Sequence, residues 1–276
     1  MTWCVPGLER PGGSDDGRSM TGLIRRRLLA GDVLGLSELL EWLGTDVGVR
    51  ANMVASVDGR AAVGGRVGAL TGPADQVLLV ALRGWCDVLL VGAGTIRAEG
   101  YGVIDLPEEV VAIRARRGQA PRPVLAILSG SLDLDPGLPV FSEAGPGTRP
   151  WVFTVAGLDR ARLDPYAHIL EVAAGQDGRP SVPAALQELR AAGLCRVLSE
   201  GGPTTLGHML GQGLVDELFL TVSPVVVGGE GLRMVHIPEY QKLVELTLRD
   251  VLGAASEVFL RYSVGTAHTS PGANPV

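Results

Sequence analysis

Two short stretches carry residue types suited to gripping a phosphorylated ligand. In Val91-Gly-Ala-Gly-Thr-Ile-Arg-Ala-Glu99 an apolar run stops at Gly92 and Gly94, and Thr95 follows. In Leu198-Ser-Glu-Gly-Gly-Pro-Thr-Thr-Leu-Gly-His208 a second apolar run meets Glu200, Gly201 and Gly202, and Pro203 opens a helix-compatible segment with Thr204, Thr205 and Leu206. Glycine lets backbone approach a ligand closely, and unpaired N–H groups at a helix start attract anions. Both bends therefore suit a pyrophosphate. Each also has a plainer reading: a tight strand-to-helix turn for the first, and an ordinary connection with a capping carboxylate for the second. The first departs from the G-x-G-x-x-G dinucleotide pattern, because Arg97 stands three residues beyond Gly94.

Other candidates are less specific. Ser56-Val-Asp-Gly-Arg60 puts Asp58 in a turn, where it is either a reactive carboxylate or an acceptor of local N–H bonds. Thr71-Gly-Pro73 could simply cap a helix, and Arg83 is either a surface charge or a phosphate clamp. There is no G-x-S-x-G elbow, and the single lysine, Lys242, follows no Gly-rich loop. Cys4, Cys86 and Cys195 form no C-x-x-C pair, and the four histidines lack ligand spacing, so no metal site or disulfide scaffold is expected.

Composition narrows the class. The 276 residues are 46% hydrophobic and 20% charged, enough to build a packed core. A net charge of −6 offers no general electrostatic basis for nucleic-acid binding. The longest apolar run, Val77 to Leu82, is far shorter than the roughly 20 residues that span a bilayer. The N-terminal stretch carries Glu9, Asp15 and Asp16 and no signal-like apolar core, so a soluble cytoplasmic chain without membrane partners is expected.

The elements that must position these residues alternate. Helix is expected within 21–43, a strand over 47–57 closing in an Asp58-Gly59 hairpin turn, a helix over 73–83 ended by Gly84, and a strand over 87–91. Then come a helix over 107–117, strands over 124–128 and 151–155, a helix over 181–192 capped by Ser181, and a strand over 195–198. A helix over 203–211, a long strand or pair over 216–227 and a hairpin around Gly253 complete the chain. Continuous apolar strands separated by helices indicate a mixed, mostly parallel sheet flanked by helices. The expected organisation is a loose tail over 1–20, a helical extension over 21–44, one domain over 45–265, and a loose tail over 266–276.

Taken together, Ala55-Ser-Val-Asp-Gly59, Thr71-Gly-Pro73, Val91-Gly-Ala-Gly-Thr95, Glu200-Gly-Gly-Pro-Thr204 and Leu214-Val-Asp-Glu-Leu218 resemble, in order, the C-terminal reductase domain of the riboflavin-pathway deaminase-reductase family. The resemblance spans roughly 48–264 and implies a dihydrofolate-reductase-like fold. It implies an NADPH-dependent reductase that converts the ribosyl group of a 5-amino-6-(ribosylamino)uracil 5′-phosphate to ribityl, acting as a homodimer on a small-molecule substrate. The cofactor would lie against Ala55, Gly92, Gly94, Thr95, Ser129, Gly201, Gly202, Pro203, Thr204, Thr205 and Leu206. Substrate would meet Asn52, Arg83 and Glu200, and the candidate proton donors are Asp58, Glu99, Glu200 or an ordered water. Arg97 is the candidate reader of the cofactor 2′-phosphate.

The departures from the family pattern matter too. No H-x-E and P-C-x-x-C deaminase signatures are present, so a stand-alone reductase is expected. Asn52 stands where the family commonly has lysine, and Glu99-Gly-Tyr-Gly-Val-Ile104 replaces a D-D-P-x-L-x-x-R run whose arginine would hold the substrate phosphate. Losing such a charge-assisted contact costs about 1.5–3 kcal/mol, enough to change substrate preference. A reductase of a pterin substrate and a non-catalytic NADPH-binding homologue are the alternatives.

Overall fold

The computed structural model describes residues 34–236, 243–254 and 256–265. The expected tails over 1–20 and 266–276 lie outside these residues. The elements in order are α1 (Leu36–Leu43), β1 (Gly48–Ser56), α2 (Pro73–Trp85), β2 (Val88–Gly92), α3 (Ala93–Glu99), α4 (Glu108–Arg116), β3 (Val124–Leu128), α5 (Pro139–Ser142), β4 (Trp151–Thr154) and β5 (His168–Glu171). They continue with α6 (Val182–Ala191), β6 (Arg196–Ser199), α7 (Pro203–Gly211), β7 (Glu217–Ser223), β8 (Leu246–Ala254) and β9 (Glu257–Val264).

The sheet has nine strands in the order β5-β4-β3-β2-β6-β1-β7-β9-β8. The seven strands from β5 to β7 pair in parallel, and the β8–β9 hairpin adds an antiparallel edge. The mixed, mostly parallel sheet flanked by helices is therefore observed. Side chains alternate between two cores, as period-2 geometry demands. Leu89 and Val91 face the layer of α1, α2 and α4, whereas Val88 and Leu90 face α6 and α7. Burial on both faces explains why β2 reads as an unbroken apolar run.

Three expectations are corrected. The Asp58-Gly59 turn closes no hairpin, because both flanks of β1 are taken by parallel partners, β6 and β7. Gly84 does not end α2; the helix continues to Trp85, and a Cβ on Gly84 would lie 2.6 Å from Val110 Cγ1 and 3.1 Å from Leu40 Cδ2. The glycine is there for close helix packing. The terminal hairpin turns after Ala254, and Gly253 sits inside β8 opposite Val258. Two elements were not foreseen, each four residues long and too short for a pattern: the helix α5, and β5, an edge strand with exposed ends.

Replacing Gly84 with alanine should test the packing argument. Helix propensity alone favours alanine by about 1 kcal/mol. The clash with Val110 should reverse that sign, leaving the variant about 1–3 kcal/mol less stable in thermal or urea unfolding. Equal or higher stability would show that α1 and α4 yield freely.

Candidate active site

The two glycine bends meet. β2 ends at Gly92 and β6 ends just before Glu200, Gly201 and Gly202; the strands are direct neighbours. The Gly92 N–H donates to the Gly201 carbonyl at 2.9 Å. A Cβ on Gly92 would lie 2.8 Å from Thr205 Oγ1, and one on Gly202 would lie 2.8 Å from Thr95 Oγ1. The bends thus interlock, each leaving room for the other's threonine. Gly201 has φ +82°, a left-handed conformation that favours glycine, and its Cβ would approach Met53 Sδ at 2.9 Å. The Gly201–Gly202 peptide is cis.

Both bends open on a cleft of about 2200 Å³ at the carboxyl ends of the parallel strands, where α/β sheets bind ligands. Gly92, Gly94, Thr95, Ser129, Gly202, Pro203, Thr204 and Thr205 line one side of it. Ser129 is buried after β3; its hydroxyl accepts the Leu132 N–H at 3.1 Å. Ala55, Gly201 and Leu206 do not line the cleft. Ala55 and Leu206 are buried, Ala55 paired within the sheet and Leu206 on the core-facing side of α7.

The other lobe centres on Glu200. Its carboxylate receives Arg83 Nε and Nη2, both at 2.7 Å, and the Tyr101 hydroxyl donates to Oε2 at 2.6 Å. The Glu200 side chain is 7% exposed and that of Arg83 23%. Burial works against the Arg83 charge, but the fork to Glu200 more than offsets it and holds the guanidinium above its ordinary pKa. Burial, with Glu200 beside it, pushes the Tyr101 phenol well above its usual value. Arg83 is therefore neither the surface charge nor the free phosphate clamp that its sequence position allowed. Asn52 joins this lobe from β1, with Oδ1 buried and lacking a hydrogen-bond partner among the described residues.

Two carboxylates act as ties. Asp58 lies outside the cleft lining; Ser56 Oγ donates to it at 2.6 Å, Gly228 N at 2.8 Å and Val227 N at 3.0 Å. Those donors hold its carboxyl well below the usual range. Arg60 completes the tie by donating to the Gly229 and Gly231 carbonyls. The motif from Ser56 to Arg60 thus gathers the loop after β7, whose Leu232 lines the cleft. Glu99 lines the cleft and accepts the Val67 N–H at 3.0 Å, fixing the loop before α2. Arg97 lines the cleft near Ser129 and Ser131 and donates to the Asp133 carbonyl at 2.8 Å. Sequence reasoning missed Asp75 and Thr221, whose hydroxyl donates to Asp75 Oδ1 at 2.7 Å; an acid in a helix's first turn reads as an ordinary cap.

A protein-family model, the RibD C-terminal domain, matches residues 48–260. The chain belongs to the RibD C-terminal domain family. It is 24% identical over 221 residues to a 2,5-diamino-6-ribosylamino-4(3H)-pyrimidinone 5′-phosphate reductase of Methanothermobacter thermautotrophicus, covering 77% of this chain and 96% of that protein. Among solved structures, a pyrimidine reductase-like protein of Corynebacterium diphtheriae shares 28% identity at a TM-score of 0.73, over 80% of this chain and 92% of that one. Acinetobacter baumannii RibD shares the fold at a TM-score of 0.63 and 22% identity, over 80% of this chain and 59% of that one. In this RibD-family chain no described helix is long and apolar enough to cross a membrane.

Proposed function

We propose that the protein is a reductase of a ribosylaminopyrimidine phosphate that uses NADPH, and that it works in the cytoplasm as a homodimer. One observation carries the reading: the interlocked glycine bends open on the same cleft as the Arg83–Glu200–Tyr101 cluster. The open space beside Gly94, together with the Thr95, Thr204 and Thr205 hydroxyls that the bends at Gly92 and Gly202 admit and the start of α7, fits a dinucleotide's pyrophosphate. The family membership and the reductase names of its relatives support the same chemistry.

The nicotinamide, when bound, supplies the hydride. The chain's own contribution is positioning. Glu200, engaged by Arg83 and Tyr101, fixes those two side chains at the cleft wall and presents the free face of the guanidinium to substrate. Arg97, beside the Ser129–Ser131 loop, is placed to pair with a 2′-phosphate, which favours NADPH over NADH. Asp58, tied to the loop after β7, is left without a part in proton transfer.

The test is direct. Purified protein should oxidise NADPH when supplied with a ribosylaminopyrimidine 5′-phosphate and not with dihydrofolate, and millimolar NADPH should raise its melting temperature. Absence of any NADPH-induced shift would overturn the cofactor assignment. A shift without oxidation by any pyrimidine would favour a non-catalytic binding protein.

A further inference from the structure

The strand order sets which way a dinucleotide crosses the cleft. With its bridge at the bends after β2 and β6, the lobe of Glu200, Asn52 and Arg83 takes the end toward β1 and α2. The adenosine half must run the other way, over the end of β3, the next strand beyond β2. Neighbouring strands lie about 4.8 Å apart, close to the reach from a pyrophosphate to its ribose.

The loop after β3 is set up to donate. Ser129 and Ser131 line the cleft, and each hydroxyl oxygen accepts a backbone N–H, from Leu132 at 3.1 Å and Asp133 at 3.3 Å. Both O–H groups are therefore left to donate. Arg97 reaches the far end of this loop from α3, with Nη1 on the Asp133 carbonyl. A second arginine reaches it from a hairpin between β5 and α6, closed by the Ala174–Pro180 bridge and by the Gly175 N–H on the Arg179 carbonyl at 2.7 Å. The stem of Arg179 rests on the loop: a Cβ on Gly130 would lie 3.6 Å from Arg179 Cγ and 3.8 Å from its Cα.

Three arginines line the cleft, and they are engaged differently. Arg83 is forked on Glu200, and Arg97 gives one Nη to a carbonyl. Arg179 meets only Asp177, whose Oδ2 stays 3.7 Å from its Nε and 3.6 Å from His208 Nε2. Such a distance orients the arm without a hydrogen bond. Neither Nη of Arg179 bonds to a described residue, and the side chain is 62% exposed.

We infer that Arg179 is the second arm of a clamp on the cofactor's 2′-phosphate, closing against Arg97 across the Ser129–Ser131 loop. A phosphomonoester carries nearly two negative charges on three terminal oxygens, more than one arginine already sharing itself with a carbonyl can satisfy. Two guanidinium groups and two hydroxyls match that demand. A bare 2′-hydroxyl would engage one donor and leave both arginines in water. The inference rests on the proposed use of a nicotinamide dinucleotide and adds the side chain that decides between its two forms.

The experiment measures Kd for NADPH, NADH, adenosine 2′,5′-bisphosphate and AMP in the wild type, Arg179→Ala and Arg179→Lys. The wild type should bind each 2′-phosphorylated ligand at least about 100-fold more tightly than its counterpart. Arg179→Ala should weaken NADPH and the bisphosphate by roughly 10- to 30-fold while NADH and AMP hold within about twofold. Arg179→Lys should recover part of the loss, because it restores the charge but not the fork. The position is exposed, so an unchanged melting temperature is expected in both variants. Indifference of the wild type to the 2′-phosphate, no loss in Arg179→Ala, or equal losses on NADPH and NADH would each overturn the inference and leave the dinucleotide site standing. Failure of the wild type to bind either dinucleotide would instead overturn the cofactor reading.

Discussion

Gly202→Val should abolish binding of the nicotinamide dinucleotide, with a loss of at least about 100-fold in affinity. The valine Cβ would start 2.8 Å from Thr95 Oγ1, so the second bend must back away from the first, and the Gly92–Gly201 bond that couples them is disturbed. Two charge-assisted contacts to phosphate lost or lengthened account for a change of that size. Calorimetric or fluorescence titration with NADPH reads it. Gly94→Ala separates ligand clash from protein clash: a Cβ there meets nothing within 4 Å. That variant should keep its melting temperature and still bind NADPH more weakly. Full affinity in Gly202→Val would remove the pyrophosphate from this bend.

The second large effect is expected at Glu200. Glu200→Ala strands the buried Arg83 guanidinium and removes the acceptor of the Tyr101 hydroxyl. Removing one partner of a buried pair costs about 3–5 kcal/mol, which for a domain of this size lowers the melting temperature by roughly 10 °C. Turnover should vanish with it. The double replacement Arg83→Met with Glu200→Met distinguishes architecture from chemistry. Apolar side chains of similar length should recover most of the stability, because a buried ion pair is rarely worth its desolvation. Activity should stay absent. Recovery of turnover in that variant would show that the pair serves packing alone.

Much of the frame could be read from local pattern. β3 and α7 appear at their expected bounds because each is bracketed by its own signals: an apolar run between polar turns for β3, and Pro203 with a following turn for α7. The glycine bends could be read because a residue without Cβ at a strand end has few other uses. What could not be read depended on distant partners. The Asp-Gly turn after β1 looks like a hairpin in isolation, and only the arrival of β6 and β7 on both edges rules that out. Gly84 looks like a helix stop until Val110 and Leu40 close on it. Asp75 is indistinguishable in sequence from a capping acid; its freedom comes from Glu257, on the last strand, which already takes the Gly72 N–H. The arginine fork on Glu200 likewise joins residues far apart in the chain, and neither position alone announces the other.

The strand order carries a consequence for synthesis. β6 fills the slot between β1 and β2, yet it is made long after both. A nascent chain leaving the ribosome therefore holds two apolar strands with open flanks until Arg196–Ser199 emerges, a state prone to mispairing and suited to chaperone protection. The same insertion delivers Gly201 and Gly202 to the rim, so filling of the slot and competence to hold a nucleotide arrive together, and no fragment ending before β6 should acquire either.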